Sequence, residues 1–427
     1  MTDPALIRAA ALFGPALVVV AVGLSCRPPS QERDRWTAAL LLATAWCAVT
    51  LYPLNLLALQ VGWWQFHTTG AALHGIPVDL WLGWSLLWGT LPALLVPRVP
   101  VPLVLAGLAW VDLALMPQGE PVVVLGSGWL YGQALGLVVC LLPATLLATW
   151  TRRRKGLAWR VWVQLLLAAS IMFGLPLGLL GWQPAWPTPV VVAGLQLGAL
   201  AVLPGLAAVR EFNHTGRGTP LPYDPPLRLV TSGPYAYVRN PMQLAVALGF
   251  LIWAVLALDW RPLAGVAVVV GYGVGVASWH EGHQLERNFG NRWRSYRDQV
   301  RPWLPRLRPV PQERPAVLYV AESCVMCRGV AAWFEARSSV SLRIAAAEAH
   351  PAGLRRMRYE SPAGQAFSGM AALARALEHL HLGWALLGWA LALPGVAMVV
   401  QLCADVFGAG PRTVAAPPHP RDATEPG

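Results

Sequence analysis

The chain is 427 residues long, 56% hydrophobic and 12% charged, with a formal charge of +11. Soluble globular chains carry about 25% charged residues, and here the deficit concentrates between Thr37 and Val209, where Leu, Val, Ala, Gly and Trp dominate. The composition excludes a large soluble core and indicates a polytopic membrane protein; the positive excess fits cytoplasmic loops beside anionic lipid rather than nucleic acid.

Apolar runs long enough to cross about 30 Å of hydrocarbon occur at 5–25, 37–58, 79–97, 101–117, 122–149, 160–181, 187–209, 242–258 and 262–279, giving nine expected spans. The first run begins after Asp3 and lacks a small-residue cleavage site, so it is read as a retained span. The basic breaks (Arg27 to Arg35, Arg98, Arg152 to Lys155 and the loop from Arg210 to Arg239) fall on one side if the spans alternate. The positive-inside rule then puts the N-terminus outside and these loops in the cytoplasm. The 22 Trp suit the membrane interface, where the ring is apolar and its N–H stays wet.

After Ser278, Leu285, Phe289, Trp293, Tyr296 and Val300 recur at helical spacing between arginines. The pattern predicts an interfacial helix with its apolar face in the lipid boundary, weakened or broken at Gly290. A proline-rich linker through Pro302, Pro305, Pro309, Pro311 and Pro315 leads to a second unit. There Val317–Val320 reads as a buried strand, Cys324-Val-Met-Cys327 opens a helix, Leu342–Ile344 is a second strand and Gly369–Leu380 a helix. Residues 382–403 read either as a tenth span or as a helix pair broken at Pro394-Gly395, and the tail after Gly410 as disordered.

The informative stretch is Thr231-Ser-Gly-Pro-Tyr-Ala-Tyr-Val-Arg-Asn-Pro241, which carries polar groups into the mouth of an apolar hairpin turning at Asp259 to Pro262. A hairpin returns both its ends to one membrane face, so the Gly-Pro-Tyr turn, Asn240 and Glu281 can converge. His280-Glu281-Gly282-His283 lacks the spacing of a zinc helix, and no metal site is expected. Cys26, Cys47, Cys140 and Cys403 are scattered in apolar surroundings, unlike a disulfide framework.

Leu229 to Pro241, the hairpin, Glu281, Phe289-Gly290, Tyr296 and Leu304-Pro305 resemble the isoprenylcysteine carboxyl methyltransferase and phospholipid methyltransferase family over roughly 160–308, with Gly216 to Pro220 and Asp224 to Pro226 upstream. The resemblance implies a membrane enzyme that uses S-adenosylmethionine in a cytoplasmic-face pocket capped by the region after the last span. Carried over, the cofactor contacts are Leu227, Arg228, Leu229, Val230, Tyr235, Asn240, Pro241, Met242, Gln243 and Glu281. The types suit the task. An aromatic face stabilises a sulfonium cation, a carboxylate holds an amine or hydroxyls, and a helix N-terminus receives a carboxylate. The family pattern has His where Asn240 stands, Tyr near Gln243, a second Glu at Gly282, and an Arg in the Gly275–Trp279 region, which has none. A prenylcysteine carboxylate is therefore not the expected substrate.

A strand followed by Cys-x-x-Cys at a helix start is the thioredoxin-type arrangement, in which the helix N-terminus favours the thiolate. The segment 316–407, with Cys324 and Cys327 as redox residues, resembles the DCC-type thiol-disulfide oxidoreductases, although Ser323 stands where that family has Asp.

The expected whole is an all-α polytopic membrane protein of about nine transmembrane helices with a small C-terminal α/β thioredoxin-like domain. The parts are N-terminal helices of unassigned role (1–150), a methyltransferase-like membrane domain (151–309), the thiol domain (316–407, cytoplasmic) and a tail (408–427). The expected activity, in a prokaryotic plasma membrane, is methyl transfer to a lipophilic small molecule or lipid, with membrane lipids and a thiol redox partner and without nucleic acid. The alternatives are a scaffold or transporter that keeps the fold without the chemistry, or a membrane-anchored oxidoreductase.

Overall fold

The computed structural model describes residues 3–26, 28–29, 32–67, 70–219, 223 and 226–411. Most of the tail, and Pro220, Pro222, Asp224 and Pro225 of the upstream motif, lie outside the described residues. The chain forms two compact units, Met1–Leu180 with Thr219–Pro225, and Gly181–Gly218 with Pro226–Gly427.

The first unit is built from six helices of membrane-crossing length and apolarity: α1 (Pro4–Ser25), α2 (Arg33–Val61), α3 (Val78–Leu95), α4 (Val101–Gly119), α5 (Trp129–Arg152) and α6 (Leu157–Leu180). Helices in lipid gain nothing by burying apolar surface, so close backbone approach between small residues holds them together. Gly89 meets the backbone of Ala43 and Thr44 so closely that an added Cβ would lie 2.6 Å from the Thr44 Cα. Leu51, Trp88, Cys47 and Cys140 fill the core beside that contact. Its polar interior is satisfied locally: Asp112, fully buried, accepts from the Trp84 and Gln133 side chains.

The expected span at 122–149 starts later. Residues Val123–Leu125 (β4) instead pair antiparallel with Trp64–Phe66 (β1), because Pro121 and the β-branched run Val122 to Val124 favour extended backbone. A further two-residue hairpin, β2 (Ala72–Leu73) with β3 (Ile76–Pro77), was not legible as strand.

The second unit opens with the seventh long apolar helix, α7 (Thr188–Gly216). Two shorter apolar helices, α8 (Pro241–Ala257) and α9 (Leu263–Gly275), follow at the positions of the last two expected spans. Among the described residues the length criterion thus yields seven spans rather than nine, or eight with a bent pair described below. The α8–α9 turn is set by Asp259, whose carboxylate accepts from the Arg261 backbone N–H at 2.9 Å and side chain at 2.8 Å.

The expected interfacial helix is two helices, α10 (Ser278–Phe289) and α11 (Asn291–Gln299), separated at Gly290, which takes φ +52°. Its apolar face does not enter lipid. Trp293, Tyr296 and Val300 are buried against Tyr235, Tyr237 and Ala207, with Leu285 and Phe289 at the edge. The periodicity identified an apolar face but not the surface that covers it.

The chain then forms a four-stranded sheet in the order β6-β5-β7-β8, from β5 (Ala316–Val320), β6 (Leu342–Ala346), β7 (Arg358–Glu360) and β8 (Ala366–Ser368). Strands β5 and β6 are parallel, and the other pairs antiparallel. Helix α12 (Val325–Glu335) crosses between β5 and β6, and α13 (Met370–Leu377) follows β8. Leu318, Phe334, Tyr359 and Leu377 form the core between them. Residues 382–403 are a helix pair, α14 (Leu382–Leu391) and α15 (Pro394–Ala404), bent by 89° at the Pro394 break.

A buried charge cluster fastens the small domain to the end of α7. Arg375 on α13 donates to Glu211 at 2.8 and 3.2 Å and to Glu378 at 2.9 Å; Arg210 reaches Glu378 at 3.2 Å. The side chains of Arg375, Glu211 and Glu378 are 3%, 2% and 5% exposed. A lone buried charge is costly, whereas two carboxylates facing two guanidiniums compensate one another. Arg375→Met leaves two buried carboxylates with one counterion and should destabilise the protein by about 3–5 kcal/mol. Thermal unfolding in detergent measures this, and adding Glu211→Gln and Glu378→Gln should recover most of the loss.

Candidate functional site

The site grows from the turn Gly233–Ala236, one tight helical turn that feeds α8. Gly233 takes φ +60° with the Glu211 side chain 3.4 Å from where a Cβ would stand, so a side chain here would be both strained and crowded. Pro234 presets the next φ, and its carbonyl accepts from Tyr237 N–H at 3.0 Å. Ser232 donates to Glu211, as does Thr215 at 2.7 Å, tying the turn to the charge cluster. Tyr237 donates to the Glu378 backbone carbonyl at 2.9 Å and meets the Trp389 ring edge-on at 5.8 Å.

The other side of the turn is covered by the chain after α11. Arg239 and Asn240 N–H groups donate to the Arg301 and Pro302 carbonyls at 2.9 and 3.2 Å, and Arg306 and Val310 return bonds to Tyr237 and Ala236 at 2.9 Å each. Tyr296 donates to the Tyr235 carbonyl at 2.9 Å.

Within this frame several polar groups have no partner. The Tyr235 hydroxyl is buried and unbonded, with the Phe212 ring 5.4 Å from its own. Burial above all, then the negative field of Tyr296, Glu281 and Glu211, pushes its pKa well above the ordinary phenol value, so it stays a donor. Gln243 Oε1 is also buried without a partner, packed beside Gly273 and Trp303. Asn240 precedes α8 without capping it by a side-chain hydrogen bond, so the orphan N–H groups of the first turn have no side-chain cap from it. Among the described residues no hydrogen bond or ion pair reaches the half-buried Glu281 carboxylate. Burial alone raises its pKa to about 7.

The structure thus brings Tyr235 and Met242 into one cluster with Leu285 and Phe289, one and two turns beyond Glu281, and Glu281 acts electrostatically on Tyr235. Leu229 and Val230 join the same cluster, and Pro241 is buried at the start of α8. Leu227 and Arg228 lie outside it: Leu227 N–H bonds the Gly216 carbonyl at 2.8 Å and Arg228 points toward Ala363 at 3.5 Å. Sequence reasoning missed Glu211, Arg375 and Glu378. Their signal was present: Glu211 ends a long apolar run, and Arg375 stands alone in an Ala- and Leu-rich helix. Between the turn and the small domain is a cavity of about 150 Å³ lined by Thr231, Ser232, Gln312, Gln365, Arg375 and His379, polar enough for ordered water.

Cys324 immediately precedes α12 at the carboxyl end of β5, and Cys327 lies in the helix's first turn. Both are half-buried, and Val325 and Met326 between them are exposed. Glu348 buttresses the loop before them, accepting from the Glu322 and Ser323 N–H groups at 3.2 and 3.1 Å and from the Ser323 hydroxyl at 3.0 Å.

No curated protein and no solved structure matches the chain. Residues 190–292, from within α7 to the start of α11, match the family described as Phospholipid methyltransferase, and this is the segment that carries Tyr235, Met242, Gln243 and Glu281.

Proposed function

We propose that the protein is an integral membrane methyltransferase that uses S-adenosylmethionine to modify a lipophilic or lipid acceptor, fused to a thiol-redox domain. The observation that carries the reading is the group of unpartnered polar atoms (the Tyr235 hydroxyl, Gln243 Oε1 and the Glu281 carboxylate) within the segment that matches a methyltransferase family.

These residues suit the cofactor. A carboxylate held near neutrality by burial ionises readily beside a cation, the Tyr235 ring offers a π face to a sulfonium, and the first turn of α8 offers N–H groups to a carboxylate. Tyr235, Asn240, Pro241, Met242, Gln243 and Glu281 would hold it, with the backbone of Leu227 to Val230 as the outer edge. When bound, the cofactor supplies an electrophilic methyl group. What the chain contributes is alignment and exclusion of water, since methyl transfer needs little acid–base chemistry. Asn240 and Gln243 hydrogen-bond without carrying charge, which favours a neutral or zwitterionic acceptor over a free carboxylate. The sheet order β6-β5-β7-β8, with a cysteine pair after the central β5, supports a thioredoxin-type reading of 316–407, with Cys324 as the attacking thiol and Cys327 resolving, on the cytoplasmic side.

Two outcomes test the parts. Cofactor affinity should rise with pH between about pH 5.5 and 7.5 as Glu281 ionises, by up to about tenfold per unit, and Glu281→Gln should flatten the curve. Equilibrium binding in nanodiscs reads this. The ligand-free protein has the opposite sign. Burial favours the protonated carboxyl, so the stability it contributes declines as pH rises from 4.5, the ordinary value, to about 7. For the second domain, Cys327→Ser should accumulate mixed disulfides at Cys324, detected by mass spectrometry; their absence removes the redox role.

A further inference from the structure

The geometry points to the α14–α15 pair as a membrane-docking hairpin: α15 lies in the bilayer interface with its apolar side in the hydrocarbon boundary, and the pair does not span. The bend is the first observation. Its Ala392 carbonyl faces the Arg210 guanidinium at 3.4 Å, and Arg210 is the first charged residue after the apolar run of α7. First charges mark the headgroup level, so the bend sits at that depth. Helix α14 is held there, with Ala385 and Trp389 buried against Ala207 and Ala208 of α7.

The two sides of α15 are the second observation. One side is fastened to the small domain. Gln401 accepts from Met370 N–H at 2.8 Å, and Asp405, just beyond the helix, pairs with Arg356 through both carboxylate oxygens, one at 2.8 Å. The other side is bare: Met398, Val399, Leu402 and Val406 recur at three- and four-residue spacing, with Phe407 beside them, and Val406 and Phe407 are 82% and 80% exposed. Such a stripe in water would be a liability. It continues from a helix packed on a membrane-crossing one, so the occupant the structure favours is lipid. Geometry argues against crossing: the apolar segment Pro394–Ala409 at 1.5 Å per residue falls short of about 30 Å of hydrocarbon, and the 89° bend keeps it from continuing α14 as one straight span. The thiol domain is therefore tethered twice, by the linker after α11 and by α15, which holds its cysteine pair close to the membrane surface.

The native Cys403, exposed and within the bare stripe, is the reporter. The full chain carrying Cys324→Ser and Cys327→Ser, with Cys26, Cys47 and Cys140 shielded by burial, is labelled with bimane and placed in phosphatidylethanolamine/phosphatidylglycerol nanodiscs. A second variant moves the probe by Val406→Cys with Cys403→Ser, and a control places it at Ser338→Cys on the exposed surface of the small domain. The expected result at 403 and 406 is loss of fluorescence with lipids brominated high on the acyl chain and none with aqueous iodide, with the reverse at 338. Iodide quenching at 403 and 406 overturns the proposal. So does quenching strongest from bromines near the chain end, which marks a span, and so does insensitivity to both quenchers that disappears on dilution, which marks a second copy of the chain.

Discussion

The structure depends on a buried arginine. Arg375 is nearly solvent-free and sits between Glu211, at the end of a membrane-crossing helix, and Glu378, on the small domain. Burying that charge requires both carboxylates to be present and correctly placed, and this requirement fixes three otherwise independent pieces. The end of α7, the Gly-Pro-Tyr turn through Ser232, and the small domain through α13 can each occupy one position relative to the others. A hydrophobic contact would tolerate sliding; a four-charge cluster with hydroxyl donors does not.

From that constraint the site follows. The turn delivers Tyr235 inward, the chain after α11 closes over it with backbone hydrogen bonds, and the α8–α9 hairpin returns Glu281 to the same end. Buried polar groups in native proteins are nearly always paired; the Tyr235 hydroxyl and Gln243 Oε1 are two that are not, and they lie in the segment that matches the methyltransferase family. Under the proposed function they and the Glu281 carboxylate are ligand groups. The small domain, fastened through Arg375 to Glu211, is part of the scaffold that positions the turn.

The sequence made much of this legible, for identifiable reasons. Apolar runs of spanning length located the helices because hydrocarbon thickness leaves little choice of length, and the strand–Cys-x-x-Cys–helix order located β5 and α12 because short buried strands and helix starts have local signals. Tyr235 and Glu281 could be placed together because hairpin topology fixes which ends meet. Partners distant in sequence were not legible. The apolar face of Trp293, Tyr296 and Val300 is the same whether lipid or Tyr235 covers it, and Arg375 gave no hint of Glu211, which lies 164 positions away. Strands β1, β4, β7 and β8 were too short for a periodic pattern to stand out.

The central claim is that the segment carrying the Gly-Pro-Tyr turn and Glu281 serves methyl transfer at the membrane. The most direct measurement supplies S-adenosylmethionine tritiated on its methyl group to proteoliposomes containing the purified chain and candidate lipids, and follows label into the organic extract. The account predicts enzyme-dependent labelling of a lipophilic product that is lost in Glu281→Gln. Absence of labelled product, together with no binding of the cofactor by the wild-type protein in detergent or in lipid, would contradict it.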